Sequence, residues 1–163
     1  MGIRLATDSA DETRDMGATL AAILRPGDVV SLTGEPGAGK TSFVQGVGRG
    51  LGVTQQVVSP TFTLVREYDG SALRLYHLDV YRLTLIQEVI DLGFEEMVDS
   101  GGVTFVEWGD VIEGLLDGNY LQIEFTVPEI ESDSRAIDVI CAGASWAERM
   151  DALRAITGRW IAG

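Results

Sequence analysis

Apolar and polar positions alternate along the chain in short blocks, and the blocks mark out the elements. Ile3–Ala6 reads as a first short strand. Ser9-Ala10-Asp11-Glu12 has the S-x-x-E form of a capping box and opens an amphipathic helix to about Leu24. Pro26-Gly27-Asp28 turns the chain into Val29–Thr33, a β-branched run that predicts a buried central strand. Gly34–Gly39 reads as a loop, and a helix follows from Lys40 to about Leu51. Val57-Val58-Ser59 predicts a short strand broken by Pro60, and Thr61–Tyr68 alternates as a second one. Asp69-Gly70 is a hairpin signal that returns the chain along Leu73–Leu78.

The second half repeats the theme. A helix is predicted over Thr84–Asp91, ended by Gly93, and another over Phe94–Val98. Ser100-Gly101-Gly102 leads into Val103–Glu107, whose composition predicts a buried strand. A helix near Val111–Leu116 and strands over Leu121–Val127 and Ala136–Cys141 follow. Glu129–Asp133 reads as a charged, solvated turn between those strands. Ser145 is placed to cap a C-terminal helix with Trp146, Met150, Leu153 and Ile156 at helical spacing. No repeat, low-complexity tract or linker divides the 163 residues, so the expectation is a single domain over 1–163.

Charge changes the picture more than composition does. The net charge is −13 and the pI is near 4.3. A protein that grips bare nucleic acid carries basic surface, so a direct polyanion-binding role is disfavoured and any such role runs through a partner. Keeping the protein soluble is an equally adequate reason for the acidity. Arginine fills eleven of the twelve Lys and Arg positions, and the one lysine is Lys40. A single cysteine, Cys141, excludes an intrachain disulfide and suits a reducing compartment. No apolar run reaches the roughly 18–20 residues of a membrane span, and Met1–Leu5 leads into acidic residues without a signal-peptide core. The expected location is the cytoplasm.

The lysine sits in the most informative stretch. Gly34-Glu35-Pro36-Gly37-Ala38-Gly39-Lys40-Thr41 fits G-x-x-x-x-G-K-[ST], between a β-branched strand and a helix. Glycines at 34, 37 and 39 permit positive φ and close backbone approach, so amides can converge on phosphate oxygens. The helix N-terminus adds partial positive charge. Lys40 is a compact ammonium suited to bridging the β- and γ-phosphates, and the Thr41 hydroxyl suits Mg2+. The expected nucleotide contacts are therefore Glu35, Pro36, Gly37, Ala38, Gly39, Lys40, Thr41 and Ser42. The alternative is a glycine-rich strand–helix turn without a ligand. The fold class that follows is α/β, a P-loop NTPase whose mostly parallel sheet is flanked by helices, with a β-hairpin and antiparallel edge strands.

Such a site needs an acid at a neighbouring strand end. Val103–Val106 delivers Glu107, and Leu73–Leu78 delivers Asp79. One could orient the metal and the other position or deprotonate water; either could instead be a helix cap or surface charge. His77, two residues before Asp79, reads as structural rather than catalytic. Thr61, in Ser59-Pro60-Thr61, either senses the γ-phosphate or metal, or simply starts a strand. A small-molecule kinase on the same scaffold is the competing function, although the chain offers no long insertion for a lid. A non-enzymatic, nucleotide-dependent interaction module is a third reading.

Ser59-Pro60-Thr61-Phe62-Thr63-Leu64-Val65, His77-Leu78-Asp79-Val80-Tyr81-Arg82-Leu83, Asp91-Leu92-Gly93 and Val106-Glu107-Trp108 follow the glycine-rich motif in order. Together they resemble the TsaE (YjeE-type) ATPases of bacterial tRNA threonylcarbamoyladenosine (t6A37) biosynthesis, over nearly the whole chain. The resemblance implies ATP and Mg2+ as cofactors, with Thr41 and Glu107 on the metal, Asp79 in the catalytic site and Ser59-Pro60-Thr61 as a switch. It implies Arg135 near the nucleotide. It also implies TsaB and TsaD as partners, with tRNA handled by them and ATP turnover supporting repeated cycles of the transferase. Glu35-Pro36 stands where the family usually has Asp-Leu; these side chains are expected to point away from phosphate.

Overall fold

The computed structural model describes residues 2–60, 64–80, 83, 85–107, 114–116, 118–129 and 132–162. Seven strands join one sheet: β1 (Gly2–Thr7), β2 (Val29–Thr33), β3 (Val65–Asp69), β4 (Arg74–Asp79), β5 (Val103–Glu107), β6 (Tyr120–Thr126) and β7 (Arg135–Ala142). Their order across the sheet is β1-β7-β6-β2-β5-β4-β3. The central strands β6, β2, β5 and β4 run parallel. On one side β7 and then β1 pair antiparallel, and on the other β3 closes a hairpin with β4. Every residue of β5 is buried and β2 is buried from Val29 to Leu32, as strands covered on both faces must be.

Side chains on a strand alternate between faces, so each central strand feeds two cores. Val30, Leu32, Leu75, Val103 and Phe105 pack with Met16 and Leu20 of α1 (Ala10–Leu20) and Phe43, Val44 and Val47 of α2 (Lys40–Gly50). Val29, Tyr76, Leu78 and Val106 point the other way, against Val89 of α3 (Ile86–Asp91) and Phe94 and Met97 of α4 (Phe94–Asp99). Phe43 stacks edge-on against Phe125 of β6, centroids 5.6 Å apart.

α1 begins where the capping signal placed it. Ser9 Oγ accepts from Glu12 N at 3.1 Å, while Glu12 Oε1 accepts from Asp8 N, one residue earlier than a reciprocal box requires. The helix tightens into a 3-10 turn over Ala21–Ile23. Its contact with α2 is a seam of small residues. A Cβ on Gly46 would stand 1.9 Å from the carbonyl oxygen of Arg14, and one on Gly17 2.2 Å from that of Phe43. Only glycine lets the two backbones come this close.

Arg149 ties the C-terminal segment to the rest. Its guanidinium is 4 % exposed and meets Asp28 in a two-point ion pair, Nη1–Oδ2 2.6 Å and Nη2–Oδ1 2.9 Å. It also donates to the Ile23 carbonyl, to Ser145 Oγ and to the Ser145 carbonyl, and lies 3.7 Å over the Trp146 ring.

Several expected elements differ. Val57–Ser59 is not a strand: the Tyr68 hydroxyl accepts from Val58 N and Gln45 Nε2 donates to Val57 O, so side chains satisfy this backbone instead of a ladder. β3 starts at Val65, because Leu64 is left-handed at φ 67°. The hairpin turn runs through Leu73, one residue further than expected. The C-terminal helix is two helices, α5 (Ala144–Ala147) and α6 (Met150–Ile156), and Ser145 lies inside α5 with its hydroxyl bound to Arg149 rather than capping. The helix predicted near Val111–Leu116 lies largely outside the described residues. No helix among the described residues is long and apolar enough to cross a membrane.

Gly46→Ala should cost about 1–3 kcal/mol through overpacking against α1, more than the ~1 kcal/mol that alanine gains in helix propensity. Chemical denaturation checks this, with a midpoint below wild type expected. Arg149→Met should lose about 3–5 kcal/mol, since the Asp28 carboxylate is then buried without its counter-charge. The same denaturation measurement tests it, and an unchanged midpoint contradicts the assignment.

Candidate active site at the carboxyl ends of the parallel strands

β2 runs directly into the glycine-rich bend and out into α2. Gly34, Gly37 and Gly39 hold φ at 140°, 80° and 110°. At Gly34 a Cβ would also sit 2.7 Å from the Phe125 carbonyl oxygen. Gly39 is the N-cap of α2 and brings no side chain to it, whereas α1 is capped by Ser9. The first-turn N–H groups of α2 have no helical acceptor, so an external anion is their natural partner.

Two cations hold the carbonyl oxygens of this bend. Lys40 Nζ donates to Gly34 O, and to Glu35 O at 3.4 Å. Arg135, at the start of β7, donates Nε to Ala38 O at 3.0 Å and Nη2 to Gly37 O at 3.2 Å. Its Nη1 is shared by the carbonyls of Ser132 and Ser134. Burial pushes the Lys40 ammonium below the ordinary lysine range, and the negative charges of Glu107 and Asp79 pull it partly back.

The acids arrive by register. Leu32 of β2 pairs with Glu107 of β5, and Glu107 pairs with Asp79 of β4. Both carboxylates are nearly covered, Glu107 at 4 % and Asp79 at 8 % exposure. They share the strand parity of Phe105 and Leu75, so they lie on the α2 side of the sheet. His77 Nε2 comes within 2.8 Å of Glu107 Oε2. That approach is close enough for an ion pair but out of line for a hydrogen bond, and Oε2 has no hydrogen-bond partner among the described residues.

These groups surround one cavity of about 350 Å³. Pro36, Gly37, Gly39, Lys40, Thr41 and Ser42 line it together with Asp79, Glu107 and Arg135. Glu35 and Ala38, also expected at the nucleotide, do not line it. Glu35 faces solvent and Ala38 is packed into the core with its N–H on the Glu35 carbonyl. Thr61 lies outside the described residues; Ser59 from the same motif is on the cavity wall. Ala10 and Thr13 of α1 and Asp133 also line it, and sequence reasoning assigned none of them. The small-residue seam at Gly17 and Gly46 was the available signal for Thr13, since it forces α1 against the loop's own helix. Asp133 looked like an ordinary charged turn.

Among the described residues no three His, Cys, Asp or Glu side chains are grouped to hold a metal. A buried strand-end carboxylate beside a threonine hydroxyl and a phosphate-binding bend nevertheless fits magnesium, because phosphates and water can complete its shell.

The family model "Threonylcarbamoyl adenosine biosynthesis protein TsaE" matches residues 7–137. A "tRNA threonylcarbamoyladenosine biosynthesis protein TsaE" of Bacillus subtilis is 41 % identical over 141 residues, 86 % of this chain and 87 % of the relative. The protein of that name from Streptomyces coelicolor is 40 % identical over 139 residues, 82 % of this chain and 93 % of the relative. The crystal structure of Bacillus subtilis YdiB superposes with a TM-score of 0.78 at 34 % identity, covering 98 % of this chain and 95 % of that one. The family model, the sequence relatives and the solved structure agree, and the chain belongs to the TsaE family.

Proposed function

We propose that this chain is a Mg2+-dependent ATPase that works in the cytoplasm as the nucleotide-driven subunit of tRNA t6A37 formation, with TsaB- and TsaD-type proteins as partners. The observation that supports it most is the meeting, in one cavity, of the uncapped α2 N-terminus, the chain's sole lysine and two buried strand-end carboxylates. The names carried by the relatives support the tRNA role, and a net charge of −13 suits a subunit that reaches tRNA only through others.

The triphosphate lies along Gly34–Thr41. Lys40 leaves the Gly34 and Glu35 carbonyls and bridges the β- and γ-phosphates, while the α2 amides and dipole take phosphate oxygens. Thr41 and Glu107 would hold Mg2+, which would supply positive charge to the reacting phosphates. Asp79, level with Glu107 in the sheet, orients the attacking water and draws on its proton. Thr61, outside the described residues, is assigned to sensing the γ-phosphate. Pro36, Gly37, Gly39 and Ser42 shape the bend, and Glu35 and Ala38 contribute through their backbone. Arg135 braces the loop beside the nucleotide. Its guanidinium is committed to four carbonyls, so it is not free as an arginine finger, and turnover by the isolated chain is slow.

Wild-type protein should gain about 2.7 kcal/mol of stability at ATP one hundredfold above its dissociation constant, a melting shift of roughly 5–10 °C for a domain of this size. Lys40→Ala should erase that shift in a thermal melt. Asp79→Ala should keep the shift and lose phosphate release. Adding TsaB and TsaD should raise the wild-type hydrolysis rate; equal rates with and without them would count against the partner assignment.

A further inference from the structure

His77 is the only histidine in the chain, and its side chain has no exposed surface. It faces the α2 side of the sheet, two residues before Asp79, and pairs across the ladder with Phe105, two residues before Glu107. Its Nε2 lies 2.8 Å from Glu107 Oε2. Neither ring nitrogen nor that carboxylate oxygen has a hydrogen-bond partner among the described residues. A position that served packing alone would be better filled by leucine, because a buried imidazole without partners loses its hydration for nothing.

We propose that His77 is a positioning residue for Glu107. Its Nε2–H closes onto Oε2 once the carboxylate turns its other oxygen toward magnesium. The inference rests on the assignment of Glu107 as a metal ligand. A carboxylate that gives one oxygen to a small cation leaves the second in a buried, low-dielectric place, where it needs a donor. Water cannot easily supply one, since Glu107 is 4 % exposed. Lys40 is the nearby cation that the two acids influence, and its ammonium is engaged by the phosphates. A neutral imidazole carrying its proton on Nε2 meets the need without altering the charge of the site, and the rigid strand pairing holds it at the right height.

The test measures Mn2+ binding in the presence of ADP, by the paramagnetic resonance signal of free Mn2+, with ADP affinity in EDTA and a melt of the metal-free protein as companions. His77→Leu should weaken Mn2+ binding about 10- to 100-fold, leave ADP affinity in EDTA unchanged and melt no lower than wild type. His77→Gln, whose amide nitrogen can reach the Nε2 position, should recover most of the Mn2+ affinity; His77→Asn, which mimics Nδ1, should not. Undiminished Mn2+ affinity in His77→Leu overturns the proposal, as does an equal fall of ADP affinity in EDTA or rescue by asparagine as good as by glutamine. If the leucine variant does not fold, the glutamine–asparagine contrast decides alone. Glu107→Gln with wild-type Mn2+ affinity would overturn the metal assignment itself, a failure distinct from a role of His77.

Discussion

β4, β5 and β2 are hydrogen-bonded in parallel with Asp79 level with Glu107 and Glu107 level with Leu32, and this register decides which side chains reach the candidate site. Strand side chains alternate strictly, so a slip of one residue would carry Glu107 to the α3–α4 face and Val106 to the α2 face. The slip is prevented by both cores at once. Phe105 fits against Phe43 on one side and Val106 joins Leu78 and Val89 on the other. Two buried carboxylates at adjacent strand ends are therefore held by apolar packing several ångströms beneath them.

The walls of the cavity depend on backbone contacts rather than on chemistry. Glycines at 17 and 46 let α1 settle against α2, and the N-terminal turn of α1 then brings Ala10 and Thr13 to the edge of the bend. Arg135 pins the carbonyls of Gly37 and Ala38 from the first residue of β7. A phosphate-binding loop must keep unusual φ angles while empty, and these two braces supply rigidity that its own glycines cannot.

The site itself is a place of unmet electrostatic demand. Among the described residues, burial lowers the pull of Lys40 for its proton, Glu107 Oε2 and the His77 ring nitrogens lack hydrogen-bond partners, and no side-chain hydrogen bond caps α2. Each deficit is one that a bound nucleotide and metal would relieve. Stability is recovered elsewhere, in the Asp28–Arg149 ion pair and its extra bonds to Ile23 and Ser145, well removed from the cavity.

Local chemistry was legible wherever neighbours in the chain act on one another. The glycine pattern at 34, 37 and 39, the Ser9 cap of α1, the limits of β2 and β5 and the acids at strand ends were all readable because turns, caps and alternation depend on residues a few positions apart. Val57–Ser59 misled for the opposite reason: Tyr68 and Gln45 reach it from further along the chain and take over its hydrogen bonds. Ser145 misled because Arg149, one turn on and anchored by the distant Asp28, takes its hydroxyl. The nearness of His77 to Glu107, of Thr13 to Gly39 and of Asp28 to Arg149 likewise joins residues that chain spacing does not relate. Spacing could nominate groups for phosphate and metal; only the packed sheet and its helices decided which partners stand beside them, because those distances are set by register and close backbone contact.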